Sequence, residues 1–250
     1  MSGKKYSRPH QVRSYECDQT QKMTLPMLLN ILMEVSGEQS HLLERGEEDM
    51  MKRGLGWIIL QYTMDIKRMP RMGETVEVET QAVQYNKIFT YRHFTVYDKK
   101  GEALVKVQTT FAAIDLEKRK MARITEDLIA PYEAPFEKRL VRVAKPEPVD
   151  DDHAHTTPYR VRFFDIDSNR HVNNSRYVDW SLDALGQDFL TTHEMTHANI
   201  KFDKEVLYGQ MIDSVCSVRE EHGTVVTSHR IQREGTTHCA AHFYWKKMEE

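Results

Sequence analysis

The apolar positions of the chain change period along its length, and these changes lay out its elements. Leu25-Pro26-Met27-Leu28-Leu29-Asn30-Ile31-Leu32-Met33-Glu34 is apolar on nearly every side of a 3.6-residue repeat, which predicts a helix buried on most sides. A second, far more polar helical segment is predicted from about Asn174 to Gln187. Each helix is preceded by a short strand-like opening, Val12-Arg13-Ser14-Tyr15 and Val161-Arg162-Phe163-Phe164, and followed by strands ending in a hairpin. The first hairpin turns at Asp98-Lys99-Lys100-Gly101, between Phe94-Thr95-Val96-Tyr97 and Ala103-Leu104-Val105-Lys106-Val107. The second turns at Arg233-Glu234-Gly235, between Thr224-Val225-Val226-Thr227 and Cys239-Ala240-Ala241-His242-Phe243. Glycine in each turn suits a positive φ.

The two runs of elements form a repeat. A shift of 149 pairs Val12-Arg13 with Val161-Arg162, Asp18 with Asp167 and Gly37 with Gly186; a shift of 134 pairs Ile66-Lys67 with Ile200-Lys201 and Gly101 with Gly235. One helix plus one antiparallel sheet, written twice, points to two similar α+β units. Between them the chain is rich in proline, at 131, 135, 146, 148 and 158, and holds Asp150-Asp151-Asp152, a composition that reads as an exposed, extended linker. The expected boundaries are a first domain over residues 1–130, a linker over 131–157 and a second domain over 158–250.

Composition narrows the function classes. At 40% apolar and 29% charged the chain is globular in type, and a net charge of −3 argues against nucleic-acid binding by bulk electrostatics. No apolar run nears the ~18 residues of a membrane helix, and the basic start has no apolar segment behind it, so a cytoplasmic protein is expected. Cys17, Cys216 and Cys239 are odd in number and far apart, which excludes a disulfide framework or a CxxC metal site.

The densest polar cluster is Asp165-Ile166-Asp167-Ser168-Asn169-Arg170-His171-Val172-Asn173-Asn174, at the opening of the second helix. Asp167, Asn169 and His171 alternate, so on an extended segment a carboxylate, an amide and an imidazole would point the same way. Asn173 or Asn174 suits the helix N-cap, and free N–H groups at a helix start would stabilise an oxyanion. A base or nucleophile, an orienting group and oxyanion donors are the parts acyl transfer needs. The same residue types also gather at caps and turns because they bond their own backbone.

That run, with Tyr177 and Trp180 after it, resembles the DxDxNxHVNNxxYxxW signature of acyl–acyl carrier protein (ACP) thioesterases, which opens the central helix of the second of two tandem hotdog domains. The resemblance implies two hotdog domains, each a curved antiparallel sheet wrapped around a central helix. It implies hydrolysis of fatty acyl-ACP to free fatty acid, with Asp167, Asn169 and His171 catalytic. The family also places a glutamate on the strand after the helix, in a Tyr-Arg-Arg-Glu-Cys-like context. Here that stretch is Ile200-Lys201-Phe202-Asp203-Lys204-Glu205-Val206, so Glu205 takes the position, and Val206 stands where many relatives carry cysteine. A cysteine nucleophile is therefore not expected, nor is any metal or cofactor. Either His171 or Glu205 activates a water, or the Asp167 carboxylate attacks directly; the residues alone leave both open.

The resemblance also implies that the first domain sets chain length. Met23, Met27, Leu28, Ile31 and Leu32 are candidates to line an acyl slot, where they would otherwise be simple core. An acidic carrier protein calls for a basic dock, for which Lys118, Arg119, Lys120 and Arg123 are candidates, as is Lys67-Arg68-Met69-Pro70-Arg71. One site per chain is expected, since Thr20 and Lys22 replace Asn169 and His171 in the first half; a homodimer remains open. The rival readings are a hotdog thioesterase acting on acyl-CoA, a hotdog dehydratase and a non-catalytic acyl-carrier-binding module. His193-Glu194-Met195-Thr196-His197 matches HExxH, but zinc chemistry requires it on a helix, and here a strand follows at once.

Overall fold

The structure is a computed structural model that describes residues 3–221 and 223–248. They fall into two compact units. The first holds residues up to 23, 28–62 and 69–143; the second holds residues 24–27, 63–68 and 144 onward.

The first unit contains strand β1 (Lys5–Gln11), most of helix α1 (Leu25–Leu42), helix α2 (Glu47–Lys52), most of strand β2 (Leu55–Ile66), strands β3 (Thr75–Tyr85), β4 (Phe89–Tyr97), β5 (Ala103–Asp115) and β6 (Lys120–Ala122), and helix α3 (Glu126–Ile129); the first residues of α1 and the last of β2 group with the second unit. Its sheet runs β1-β3-β4-β5-β2, with β6 paired to β5. The second unit contains β7 (His155–Arg160), α4 (Asn174–Asp183), α5 (Gln187–Thr192), β8 (His193–Phe202), β9 (Met211–Glu221), β10 (Thr224–Arg233) and β11 (Thr236–Lys247). Its strands run β7-β9-β10-β11-β8, the order of the first sheet. These strand-to-strand ladders are antiparallel, and an isolated parallel bridge joins Tyr85 to Phe136. No helix among the described residues is long and apolar enough to cross a membrane.

Helix α1 starts where Thr24 Oγ1 accepts the Met27 N–H (3.4 Å), with Pro26 in the first turn, where its missing N–H costs nothing. It buries Leu25, Leu28, Leu29, Ile31, Leu32 and Val35, each contributing at most about 1.5–3 kcal/mol. It runs past Glu34 because the buried row continues to Gln39, which takes a hydrogen bond from the buried Arg92 of β4 (2.5 Å). On the other flank, Arg8 of β1 pairs with Glu34 (3.2 Å) and Glu38. Helix α4 packs on β9 and β10, and the Ser214 hydroxyl donates to the Trp180 carbonyl (3.0 Å).

Three expectations need correction. The strand openings lie a few residues earlier, at β1 and β7, while Ser14–Glu16 and Phe163–Asp165 are single 3-10 turns. Both early strands are sheet edges, so each tolerates a proline, Pro9 and Pro158, a further pair at the 149 shift. The second helix stops at Asp183, and Gly186, at φ 80°, turns the chain into a separate helix, α5. Gly37, its supposed counterpart, lies inside α1, so that pairing has no structural meaning. Both hairpins fall where expected, with Gly101 and Gly235 at φ 79° and 74°.

Candidate active site

The segment before α4 is not extended. Ile166 and Val172 form an isolated antiparallel bridge, the Asp167 N–H donates to the His171 carbonyl (2.9 Å), and the Arg170 N–H donates to the Asp167 carbonyl (3.0 Å). Residues 167–171 are therefore a tight hairpin-like turn, with Arg170 in the left-handed region at φ 67°. The turn brings Asp167 and His171 face to face at its mouth and puts Asn169 at its exposed tip. Asp167 Oδ1 accepts the Asn169 N–H (2.8 Å), an Asx turn. The Asn169 side chain makes no hydrogen bond among the described residues. Alternation along a strand, the geometry expected from the sequence, is thus replaced by pairing across a turn.

A carboxylate anchors the turn from below. Asp165, fully buried, accepts the Arg162 N–H (2.7 Å) and two guanidinium bonds from Arg162 (2.8 and 3.1 Å). Burial alone would raise its pKa, but the Arg162 bonds prevail and hold the carboxyl below its ordinary range. The Asp165 carbonyl takes the Asn173 N–H (2.9 Å), fixing the start of α4. Asn173 is the N-cap: its Oδ1 accepts from the Ser175 N–H and hydroxyl (2.9 Å each). With those donors engaged, Asn174 offers the one helix-start N–H in this turn without a partner among the described residues.

Glu205 lies beyond the end of β8, in the irregular stretch 203–206 rather than on the strand itself. Its Oε2 stands 3.1 Å from His171 Nε2. The Val172 N–H donates to the Val206 carbonyl (3.1 Å), tying the turn to this stretch. Within the site, the contact of Asp167 with Asn169 and that of His171 with Glu205 are joined through the Asp167–His171 backbone bond.

The thiols stand apart from this chemistry. Burial pushes Cys216 up to about 11 and Cys239 higher, so both stay protonated and poorly nucleophilic. The HExxH run lies on β8, where His193 stacks on Phe189 (ring centroids 4.1 Å) and His197 pairs with Asp65 (2.9 Å). Histidines four apart on a strand are ~13 Å apart and cannot share a metal.

In the first unit, Met23, Leu28, Ile31 and Leu32 are buried; Met27, which groups with the second unit, is half-buried. Lys118, Arg119, Lys120 and Arg123 are exposed, at and just after the turn between β5 and β6; Lys118 leans on Asp115 (3.3 Å).

The comparisons with known proteins fit this architecture. Residues 3–132 match the family model of the acyl-ACP thioesterase N-terminal domain, and residues 149–247 that of the C-terminal domain. The chain is 26% identical over 238 residues to the chloroplastic oleoyl-acyl carrier protein thioesterase 1 of Arabidopsis thaliana, covering 88% of this chain and 66% of that protein. It thus spans just under two thirds of the length of that curated relative. Among solved structures, a provisionally described oleoyl thioesterase from Lactobacillus plantarum matches with a TM-score of 0.95 and 36% identity, over 99% of this chain and 98% of that one. The 12:0-ACP thioesterase from Umbellularia californica matches with a TM-score of 0.86 over 98% of each chain, at 22% identity a likeness of fold. Both units are hotdog folds in tandem. Matched by family models in both halves and sharing its fold along nearly its whole length with the bacterial relative, the chain belongs to the acyl-ACP thioesterase family.

Proposed function

We propose that the protein hydrolyses the thioester of fatty acyl-ACP, releasing free fatty acid, with Asp167, Asn169, His171 and Glu205 as its machinery. The observation that carries this reading is the 3.1 Å approach of Glu205 to His171, which couples a carboxylate to an imidazole beside a helix start. In the route this favours, the His171–Glu205 pair takes a proton from water, whose oxygen bonds to the thioester carbon. Asn169, at the turn tip, orients the water or the carbonyl, and the Asn174 N–H faces the developing oxyanion. The C–S bond then breaks, and the proton passes to the leaving thiolate. Asp167 fixes the turn through Asn169. In the competing route Asp167 attacks and water hydrolyses the mixed anhydride. Single turnover in heavy-oxygen water tests the anhydride route: label in the Asp167 carboxyl marks it, with water entering at the aspartyl carbonyl, and where the label is only in the fatty acid, near-wild-type turnover of Asp167→Asn assigns the reaction to direct water attack.

The division of labour proposed is acyl accommodation in the first domain (residues 1–130, with Met23, Met27, Leu28, Ile31 and Leu32) and chemistry in the second (158–250), beyond a linker at 131–157. The proposed partner is an acyl carrier protein, docking at Lys118, Arg119, Lys120 and Arg123. The compartment is the bacterial-type cytoplasm, although the Arabidopsis relative is chloroplastic. The test is thiol release from carrier-linked and CoA-linked acyl substrates. Faster turnover on the carrier-linked form supports the reading; faster turnover on acyl-CoA replaces it with an acyl-CoA thioesterase, and none on either leaves a binding module.

A further inference from the structure

Glu205 sits outside the sheet ladder, so its backbone needs other anchors if its carboxylate is to meet His171 reproducibly. Two side chains supply them. The Tyr177 hydroxyl of α4 accepts the Val206 N–H (3.0 Å) and donates to the Lys204 carbonyl (3.5 Å), bracketing Glu205 on both sides. Burial raises the Tyr177 pKa well above its ordinary value, so the phenol is neutral and can both donate and accept. From β11, His238 Nδ1 lies 3.1 Å from the Glu205 carbonyl and 3.3 Å from that of Lys204, which assigns the ring proton to Nδ1. The ladder skips His238, pairing Gln232 with Thr237 and Ile231 with Cys239, so a β-bulge aims its ring at this backbone.

The first unit is an internal control. The 149 shift puts Leu28 at the place of Tyr177. The ladder between β4 and β5 skips Leu104 as the other skips His238. The Met23 N–H donates to Pro70 as the Val172 N–H donates to Val206, which makes Met69 the counterpart of Glu205. Where the glutamate is methionine, the hydroxyl and the imidazole are both leucines, and the N–H they would serve is a proline. The fold alone therefore requires neither polar group.

We propose that Tyr177 is a positioning residue of the hydrolytic site, and that its hydroxyl, with the His238 ring, holds the Glu205 backbone so that the carboxylate meets His171. This rests on the reading of Glu205 as part of the machinery. Tyr177→Phe keeps the ring contacts with Trp180 and Phe202 while removing the hydroxyl. In the full chain it should lower kcat about 10- to 100-fold, with KM within about threefold, and displace the acidic limb of the kcat–pH profile. Added to Glu205→Gln it should cost nothing further, because its effect passes through Glu205. Wild-type kcat in Tyr177→Phe alongside a disabled Glu205→Gln overturns the proposal, and so do losses that multiply in the double variant. A fully active Glu205→Gln instead removes the underlying reading, and the single variant shows this by itself. If Tyr177→Phe does not fold, the His238 pair decides: His238→Asn, whose amide stands near Nδ1, should keep kcat within about threefold where His238→Leu loses about tenfold. Equal activity in the two overturns the role.

Discussion

The turns at residues 18–22 and 167–171 have the same backbone and different chemistry. In each, the first residue's N–H bonds the last residue's carbonyl (Asp18 to Lys22, 3.0 Å; Asp167 to His171, 2.9 Å), and the fourth residue has positive φ (Gln21, 61°; Arg170, 67°). In each, an aspartate holds the N–H two residues on (Thr20, 2.7 Å; Asn169, 2.8 Å). A carboxylate two residues earlier closes the preceding 3-10 turn, Glu16 on the Arg13 N–H (2.8 Å) and Asp165 on the Arg162 N–H (2.7 Å). The turn is thus a property of the fold, and the aspartate that makes it is present in both halves. What separates them is Asn169, His171 and Glu205 against Thr20, Lys22 and Met69. The difference teaches that chemistry was placed on, or lost from, a scaffold that stands without it.

Writing the first turn into the second is the sharpest way to break this comparison. The triple variant Asn169→Thr, His171→Lys and Glu205→Met should fold, because both sequences already support this backbone, and should lose at least about 10³-fold in kcat/KM. Folded and fully active protein, judged by thiol release and circular dichroism, would end the assignment. Asp167→Asn comes next. An asparagine oxygen can still accept the Asn169 N–H, so the turn survives: a loss of at least about 10²-fold is expected if the Asp167 carboxylate attacks, and only a few-fold loss if it merely fixes the turn. Asp18→Asn, its mirror, should stay within about twofold.

The clamps below the two turns differ in strength. Asp165 takes three bonds from Arg162, while Glu16 takes the Arg13 N–H and His10 Nε2 (2.9 Å). Asp165→Asn should cost about 2–3 kcal/mol of unfolding free energy, and Glu16→Gln about 1 kcal/mol. The sign of the pH effect follows from Asp165. Its folded pKa lies below the ordinary 3.8, so its contribution is complete above about pH 4 and is lost as pH falls through the folded value. The gap between wild type and Asp165→Asn in denaturant melts should close on acidification from pH 6 to below pH 3. A gap that stays constant would mean the carboxylate is not the clamp.

Much of this was legible in the sequence, for reasons that differ by element. The 149 shift worked because Val12-Arg13 and Val161-Arg162 enter identical turns, and both hairpins announced themselves through glycines that need positive φ. The turn at 167–171 reads as extended in the sequence because Asp-x-Asn-x-His alternates like a strand, while the local bridge from Ile166 to Val172 that closes the turn leaves no periodic trace. The 134 shift does not carry through to the stretch after these strands, where the backbone bonds at Pro70 and Val206 give 136. Tyr177 could be seen, but its hydroxyl partners lie 27 and 29 residues away in sequence. His238 had no signal, because its place depends on a bulge.

The same shift sharpens the acyl-slot proposal, because Ile31 stands where the second unit has Trp180. A helix of this scaffold therefore accepts tryptophan at that position, and Ile31→Trp should fold at a cost of about 1–3 kcal/mol. If the first domain houses the acyl tail, Ile31→Trp and Met27→Trp should shorten the fatty acids released in a bacterial host by about two or more carbons. An unchanged profile would mean these side chains are core only.

The smallest effect belongs to the docking patch, and its pattern is the test. If chemistry resides in the second unit alone, charges on the first can change encounter but not turnover. Lys118 is partly neutralised by Asp115, whereas Lys120 and Arg123 make no ion pair among the described residues and should contribute more. Lys120→Glu with Arg123→Glu should raise KM for carrier-linked substrate about three- to tenfold with kcat unchanged. The effect should fade above about 0.5 M salt, where screening reaches only a few ångströms. With a neutral acyl-pantetheine substrate the variant should match wild type, since no acidic partner is left to steer. A kcat loss on both substrates would place these residues in the catalytic architecture and undo the division between the two units.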